Sequence, residues 1–320
     1  MVWAKRLLAV VAAAGLIVAA LVIRNKVIED DDSGTRDPDA ASTLVCVTEL
    51  RALCDAAGAA VPGLRIRVEP AARTASAWAS TRERPDEAWL TLAPLPDLVA
   101  TERARARLAD LALDSELVGS SPLVVAVPNA KATALSGACG APLDWRCVSD
   151  LAGNPWAGID GPGNGTIKPA FGPLDSAVGQ LGVTQAVRGY FGDAPVDPGD
   201  IGLITWVRSL ANAVNATALS GGTPIGTVQV RDSAVDVAVG IDAEITNAGR
   251  DKLTTLYAAP MTRVDLVLAT PDGVGVSATL TDAIISAAES AAWQPGTSAE
   301  GEPLTAEQVA QATRLWRDNS

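Results

Sequence analysis

Apolar and polar positions alternate along most of this chain in short blocks that switch between strand and helix periods. A continuous apolar run predicts a buried strand at 122–127, further buried strands are predicted at 43–47 and 235–240, and strict alternation predicts a second strand at 64–68. Further strands are predicted at 87–92, 253–257 and 264–269, and helices at 48–53, 102–113, 148–152, 171–182, 244–248, 281–293 and 305–316. Strands alternating with helices predict an α/β fold with a mostly parallel sheet.

The N-terminal segment has a different pattern, because residues 7–23 contain no charged side chain. As a helix, these 17 residues would span roughly 25 Å, at the lower limit for a bilayer crossing. A cleaved signal peptide is the alternative, but residues 23–27 (IRNKV) are a poor cleavage site, and the absence of a cysteine there excludes a lipoprotein anchor. We expect residues 1–28 to form a short cytoplasmic start and one transmembrane helix.

Charge separates the leader from the rest of the chain. Residues 29–42 are acidic and lack apolar periodicity, which predicts a solvated linker. Residues 29–320 carry 21 basic and 37 acidic side chains, so this part repels phosphate backbones and binds no nucleic acid. There is no histidine, which excludes histidine-based catalytic triads and histidine metal sites. We predict no metal site, no cofactor and no catalytic residue.

The four cysteines form two pairs of similar spacing, Cys46 with Cys54 and Cys139 with Cys147. Neither pair has the C-x-x-C spacing or histidine partners of a metal site, so two disulfides are the simpler interpretation. Four free thiols in a cytosolic protein are the alternative. Disulfides persist only in oxidising compartments, which places the C-terminal domain outside the cell and the N-terminus inside.

Five segments together resemble the extracytoplasmic solute-binding proteins with the type 2 periplasmic-binding fold: 121–128 (SPLVVAVP), 143–145 (LDW), 148–152 (VSDLA), 158–162 (GIDGP) and 236–240 (DVAVG). The resemblance implies a two-lobed domain, with lobe 1 at 43–125 plus 259–320 and lobe 2 at 126–258. It also implies capture of a small polar or anionic ligand for transport or sensing, with a membrane permease as partner. Similar modules are sometimes joined to von Willebrand A domains. This chain lacks the D-x-S-x-S metal-site motif of those domains, so it contains no such domain. A von Willebrand A-domain protein is therefore expected only as a separate partner, as an alternative to the permease.

In such a fold the ligand lies in the interlobe cleft, near loops at the carboxyl ends of strands and near helix N-termini. The residues expected there follow the first strand, the third strand and the start of lobe 2: Thr48, Glu49, Thr91, Gly163, Asn164, Gly165 and Thr166. Each has a structural alternative, since Thr48 is a candidate helix cap, Glu49 a first-turn acid and 161–166 an ordinary turn. Four tryptophans are candidates for ligand stacking or core packing: Trp78, Trp89, Trp156 and Trp206.

Two functions from different classes remain open at this point. The first is a solute-binding module that closes on a small polar ligand. The alternative is an envelope adaptor with a degenerate binding fold that contacts proteins and no small ligand. An enzyme is disfavoured, because the sequence contains no G-x-S-x-G elbow, no G-x-G-x-x-G fingerprint and no P-loop lysine.

Overall fold

The computed structural model describes residues 43–192, 194, 196–214, 222–245 and 247–320. The predicted anchor (1–28) and linker (29–42) lie outside these ranges. Among the helices in the described ranges, none combines the length and apolar character needed to cross a bilayer.

Strands and helices alternate along the described chain. The strands are β1 (Thr43–Val47), β2 (Arg65–Glu69), β3 (Ala88–Leu92), β4 (Leu113–Pro128), β5 (Pro169–Ala170), β6 (Val237–Ile241), β7 (Leu253–Leu256), β8 (Thr262–Pro271) and β9 (Glu302–Pro303). The helices are α1 (Arg51–Ala60), α2 (Ala71–Ser80), α3 (Leu95–Arg105), α4 (Asn129–Cys139), α5 (Trp145–Leu151), α6 (Ala177–Phe191), α7 (Ile201–Ala213), α8 (Pro224–Val230), α9 (Asn247–Arg250), α10 (Ala278–Ser290) and α11 (Ala306–Asn319). Single 3₁₀ turns occur at Thr48–Leu50, Trp156–Ile159 and Asp242–Glu244.

The first lobe is built on β1, which pairs in parallel with β2 and β3. Strand β3 then pairs antiparallel with β8. These strands carry fully buried aliphatic and aromatic side chains, including Leu44, Trp89 and Leu266. Helices α1, α3 and α10 contribute Leu53, Val99 and Ile284 to the same core. Lobe 1 therefore has one hydrophobic core between its strands and these three helices.

The long strand β4 connects the two lobes. Its first part pairs antiparallel with β8 in lobe 1, and its last residues pair antiparallel with β6 and β7 in lobe 2. The main path of the sheet is β2-β1-β3-β8-β4-β6-β5. The two-lobed α/β architecture is confirmed, but the expectation of a mostly parallel sheet is wrong. The sheet is mixed, because β4 and β8 run antiparallel to most of their neighbours.

The second lobe has its own core around β4, β6 and α6. Trp145, Trp156 and Val183 are fully buried there. The C-terminal helix α11 contacts α6 and α7, and it adds Leu315 and Trp316 to this core. It also contacts α3 of lobe 1, and its Val309 belongs to the lobe 1 core, so α11 packs against both lobes.

Several local features agree with the sequence pattern, and one does not. Both predicted disulfides, Cys46–Cys54 and Cys139–Cys147, are present. Thr305 caps α11 through a capping box with Gln308. The prediction that Thr48 caps a helix is wrong. Residues Thr48–Leu50 form a 3₁₀ turn with no side-chain cap, and α1 begins at Arg51.

Candidate functional site

A cavity of about 660 Å³ lies between the two lobes, and both lobes contribute residues to its lining. One wall is the turn Thr48–Leu50 with the start of α1, and the end of α10 closes the same side. The other wall comes from lobe 2, through the start of α8, the turn Asp242–Glu244 and Arg250 of α9. Both turns follow the carboxyl ends of buried strands, β1 and β6. This is where ligand sites form in open α/β sheets.

A smaller cavity of about 190 Å³ extends the cleft. It shares Thr48, Glu49, Gly222 and Thr223 with the larger cavity. Its remaining lining comes from Pro70 before α2, Pro224 of α8, and the segment 172–178 that leads into α6. The two cavities therefore form a continuous cleft, and Glu49 lies where they meet.

Glu49 reaches from lobe 1 to the N-terminus of α6. Its Oε1 accepts a hydrogen bond from the backbone N–H of Val178 at 2.9 Å. Ser176 caps the same helix, accepting from the N–H of Gly179 at 2.9 Å. An anion at a helix N-terminus is favoured by the free N–H groups and the dipole. In this protein the anion at α6 is the protein's own carboxylate.

The other oxygen of Glu49, Oε2, is buried and has no hydrogen-bond partner among the described residues. Burial raises the pKa of Glu49 above its ordinary value, and the hydrogen bonds from Val178, Ser176 and Ala177 partly offset that rise. The carboxyl is therefore held in place on one side and left with unused acceptor capacity on the other.

Glu244 faces the cleft from lobe 2. Both of its carboxylate oxygens are buried and lack a partner that meets hydrogen-bond geometry within the described ranges. Burial raises the pKa of Glu244 to about 8, the charge of Glu49 adds to the increase, and the Thr223 hydroxyl and the Ile241 backbone oppose it. Since two like charges in one cleft disfavour each other's ionisation, the two carboxyl groups behave as a coupled pair.

Close packing fixes the position of the Glu244 turn. A Cβ at Gly240 would lie 2.5 Å from Cδ1 of Ile225 and 3.3 Å from Oε2 of Glu244. A side chain at position 240 would therefore force the Ile225 side chain of α8 to shift. The nearby Gln229 amide also donates to the backbone oxygen of Glu244 at 3.3 Å. Both contacts hold the turn that carries the carboxylate against α8.

The basic groups along the cleft are already paired or lie at its edge. Arg250 donates to Oδ2 of Asp242 at 3.0 Å and to the backbone oxygen of Asp242 at 3.2 Å. Arg51 and Asp55 are exposed on α1 and carry opposite charges. Among the described lining residues, the buried charged groups of the cleft are therefore two carboxyl groups, and its basic groups are the paired Arg250 and the exposed Arg51.

The structure brings only part of the predicted site to this cleft. Thr48 and Glu49 line it, as expected for residues that follow β1. Thr91 is fully buried within β3, its hydroxyl has no partner among the described residues, and it lines neither cavity. Gly163, Asn164 and Gly165 are exposed and line neither cavity either, and Thr166 forms a bridge with Pro155.

The candidate tryptophans lie in the hydrophobic cores. Trp78 and Trp89 pack edge to face in lobe 1, with ring centroids 5.4 Å apart. Trp156 and Trp206 belong to the core of lobe 2. Their surroundings match the core-packing interpretation rather than ligand stacking.

Sequence reasoning missed Glu244 and Thr223. Glu244 was detectable, since it follows a predicted buried strand in the same way as Glu49 follows β1. It was instead assigned to the start of a helix at 244–248, whereas the structure forms a 3₁₀ turn at Asp242–Glu244 and places α9 at Asn247–Arg250. Thr223 carries no such signal, because it precedes a short helix after a stretch without apolar periodicity.

A larger cavity of about 830 Å³ lies elsewhere, between the end of α6, the start of β8 and the segment around β9. It shares no lining residue with the cleft. Its charged groups include Arg188 and Glu302, which are 3.5 Å apart. Because it does not lie at the carboxyl ends of strands from two lobes, we do not place the site there.

No family model matches this chain, and no curated protein sequence matches it. Solved structures do match. A Listeria monocytogenes protein assigned by name only to spermidine/putrescine ABC transport has a TM-score of 0.52 at 9% identity, covering 88% of this chain and 98% of its own. A periplasmic thiamin-binding protein has a TM-score of 0.51 at 10% identity, covering 87% and 96%.

A reduced form of OxyR from N. meningitidis also matches, with a TM-score of 0.44 at 10% identity over 77% of this chain and 96% of its own. At such identities a structural match establishes a fold and no activity. The order of strands, the long connecting strand β4 and the two matches above 0.5 agree with one another. The described part of this chain has the type 2 periplasmic-binding-protein fold.

Proposed function

We propose that this chain is an extracytoplasmic solute-binding module, held at the cell membrane by its N-terminal segment, that captures a small polar ligand between its two lobes. The ligand would contact Thr48 and Glu49 from lobe 1 and Thr223 and Glu244 from lobe 2. It would then be passed to a membrane permease or sensed. The proposal assigns no catalytic step.

The observation that carries the proposal is the cleft itself. Its volume of about 660 Å³ is within the range of small-molecule sites. Its polar groups come from both lobes, so a ligand in the cleft would favour their closed arrangement. The two matches above a TM-score of 0.5 are proteins named for transport or binding of small molecules, which supports the same function by analogy of fold.

The two disulfides support the proposed compartment. Both close short loops of the described domain, and such bonds persist where thiols are not kept reduced. Together with the apolar leader at residues 7–23, they support a domain outside the membrane and an N-terminus inside.

Thermal-shift screening of the full chain in detergent tests the proposal. The library should contain small cations, anions and neutral polyols, each at millimolar concentration. A ligand that binds only the folded protein raises the melting temperature by mass action, and a concentration of about 100 times Kd stabilises the fold by roughly 2.7 kcal/mol. We expect at least one class to raise the melting temperature of the wild type and to lose that effect in Glu49→Ala.

Glu83→Ala is the matched control, because Glu83 is exposed before β3 and lines neither cleft cavity. It should respond to ligand like the wild type. If no compound of any class shifts the melting temperature, the solute-binding proposal fails, and the adaptor function becomes the better explanation.

A further inference from the structure

We infer that the ligand of this cleft carries a cationic group, an ammonium or guanidinium, that lies between the carboxylates of Glu49 and Glu244. The inference rests on the proposed function and names its ligand class. It departs from the expectation of an anionic ligand, and four observations of the cleft lead to it.

The first observation is that the obvious anion site is already occupied. The N-terminus of α6 faces the cleft, and its Val178 N–H donates to Glu49 at 2.9 Å. An anionic ligand would have to displace this carboxylate or lie beside it. Like charges at such separations repel in a poorly solvated cleft.

The second observation is the unused acceptor capacity. Oε2 of Glu49 and both oxygens of Glu244 are buried without a partner among the described residues. A buried carboxylate oxygen without a donor is costly, and most buried polar atoms have a partner. A ligand with several N–H donors would satisfy these three oxygens at once, because an ammonium has three donors and a guanidinium five.

The third observation is that the two carboxyl groups belong to different lobes. Glu49 follows β1 in lobe 1, and Glu244 follows β6 in lobe 2. Without a cation, the charge of Glu49 helps to keep Glu244 protonated, because the two ionised carboxylates would repel each other. A cation between them attracts both carboxylates, so its binding favours the ionised pair and the closed arrangement of the lobes.

The fourth observation concerns the other charges around Glu244. On its own turn and on α9, Asp242 and Arg250 pair with each other at 3.0 Å. On α1, Arg51 and Asp55 are exposed at the rim and oppose each other. Burial and the charge of Glu49 together raise the pKa of Glu244 to about 8, which places the two carboxyl groups in one electrostatic environment.

The test is isothermal titration of the full chain in detergent with three probes of equal length. The probes are 1,4-diaminobutane, the uncharged 1,4-butanediol and the anionic succinate, and agmatine extends the cationic class to a guanidinium. We expect one or more of the cations to bind and neither of the other two probes to do so. Glu244→Gln should weaken cation binding at least tenfold, and Glu49→Gln should do the same while keeping an acceptor for Val178. Glu83→Gln, which removes the same charge from an exposed position, should leave binding unchanged.

Proton release gives a second readout that a merely structural role would not change. Below about pH 8 the free Glu244 carboxyl holds a proton, which must leave when a cation binds. The affinity of the wild type should therefore rise with pH between 6 and 8, by up to tenfold per unit, and the apparent heat at pH 7 should depend on the buffer's ionisation enthalpy. Both effects should disappear in Glu244→Gln.

The outcomes of the titration distinguish the cationic ligand class from the proposed solute-binding function. Binding of the diol or of succinate, with no binding of any cation, would overturn the ligand class and leave the solute-binding proposal in place. Binding of cations that is unaffected by both glutamine variants would overturn the assigned position. Absence of binding by all three classes would overturn the proposed function as well.

Discussion

At the scale of single residues, the cleft contains two acids that lack the partners of an ordinary buried carboxylate. Asp236 shows what such partners look like elsewhere in the same protein. It accepts from the Trp156 indole at 2.8 Å, from Lys131 at 3.0 Å and from the backbone N–H of Lys168 at 2.6 Å. Asp236 is therefore fully satisfied and holds lobe 2 together, whereas Glu244 remains available to a ligand.

The buried Glu244 carboxyl makes the free energy of unfolding depend on pH. The pKa of Glu244 is raised in the folded protein to about 8 from an ordinary value of 4.5. Between these pH values the unfolded chain has released a proton that the folded chain keeps, so the free energy of unfolding falls as pH rises. Below about pH 4.5 both states hold the proton and the effect vanishes.

Glu244→Gln should remove this dependence, since an amide does not titrate. We expect the variant to unfold like the wild type near pH 5 and to be more stable by roughly 1–3 kcal/mol near pH 7.5. Urea unfolding monitored by circular dichroism at several pH values measures this. Glu83→Gln is the exposed control, and a constant difference between Glu244→Gln and wild type at every pH would refute the assignment.

At the scale of elements, the Cys46–Cys54 disulfide spans the turn that carries Thr48 and Glu49. It ties the end of β1 to α1 and so limits the motion of the Glu49 backbone. The Cys139–Cys147 disulfide has the same sequence separation but joins α4 to α5 in lobe 2. No residue of the loop 139–147 lines either cavity of the cleft.

This difference predicts a selective effect on binding. Removing either disulfide by a double alanine substitution should lower the free energy of unfolding by about 2–3 kcal/mol, because the loops are of equal length. The Cys46→Ala/Cys54→Ala protein should in addition bind the cationic probe several-fold more weakly. The Cys139→Ala/Cys147→Ala protein is the matched control, and its Kd should equal that of the wild type. Equal losses of affinity in both double variants would show that the first disulfide has no special role at the site.

The sequence predicted buried strands better than helices, for reasons visible in particular elements. Strands β1, β3 and β6 are buried on both faces and contain mostly apolar residues, so their sequences signal them locally. The predicted helix at 102–113 begins seven residues too late and ends eight residues too late, since α3 is Leu95–Arg105. Pro96 lies in the first turn of α3, where proline favours the start of a helix.

The start of strand β4 and the bounds of helix α6 depend on tertiary contacts. The start of β4 carries the exposed residues Asp114 and Glu116, which resemble a loop in sequence. Pairing with β8 makes this stretch a strand. Helix α6 was predicted at 171–182 and is found at Ala177–Phe191, where Ser176 supplies the cap and Glu49 from the other lobe supplies a second acceptor. An acceptor more than a hundred residues away leaves no local signal in the sequence.

Part of the candidate site could be predicted from the sequence, as was the case for the fold. The rule that polar residues at the carboxyl ends of buried strands form sites found Thr48 and Glu49, and it applies equally to Glu244. The glycine-rich turn at 161–166 satisfied a local criterion for backbone approach to a ligand. Its position on the surface is set by the packing of lobe 2 around Trp156, which no local pattern reveals.

At the scale of the whole molecule, the two lobes meet through β4, β8 and the first turn of α6. Ala177, Val178 and Leu181 at the start of α6 belong to the core of lobe 1, although the helix continues into lobe 2. The Glu49–Val178 hydrogen bond therefore lies where the two lobes meet.

The most direct test of the account is hydrogen–deuterium exchange of the full chain with and without the cation that produces the largest thermal shift. Binding between the lobes should slow exchange in two separate segments, Thr48–Leu53 from lobe 1 and Thr223–Gln229 from lobe 2, and Glu244→Gln should abolish both effects. Exposed amides near Asn164 should be unchanged. Protection confined to one lobe, or centred on residues 161–166, would contradict the account.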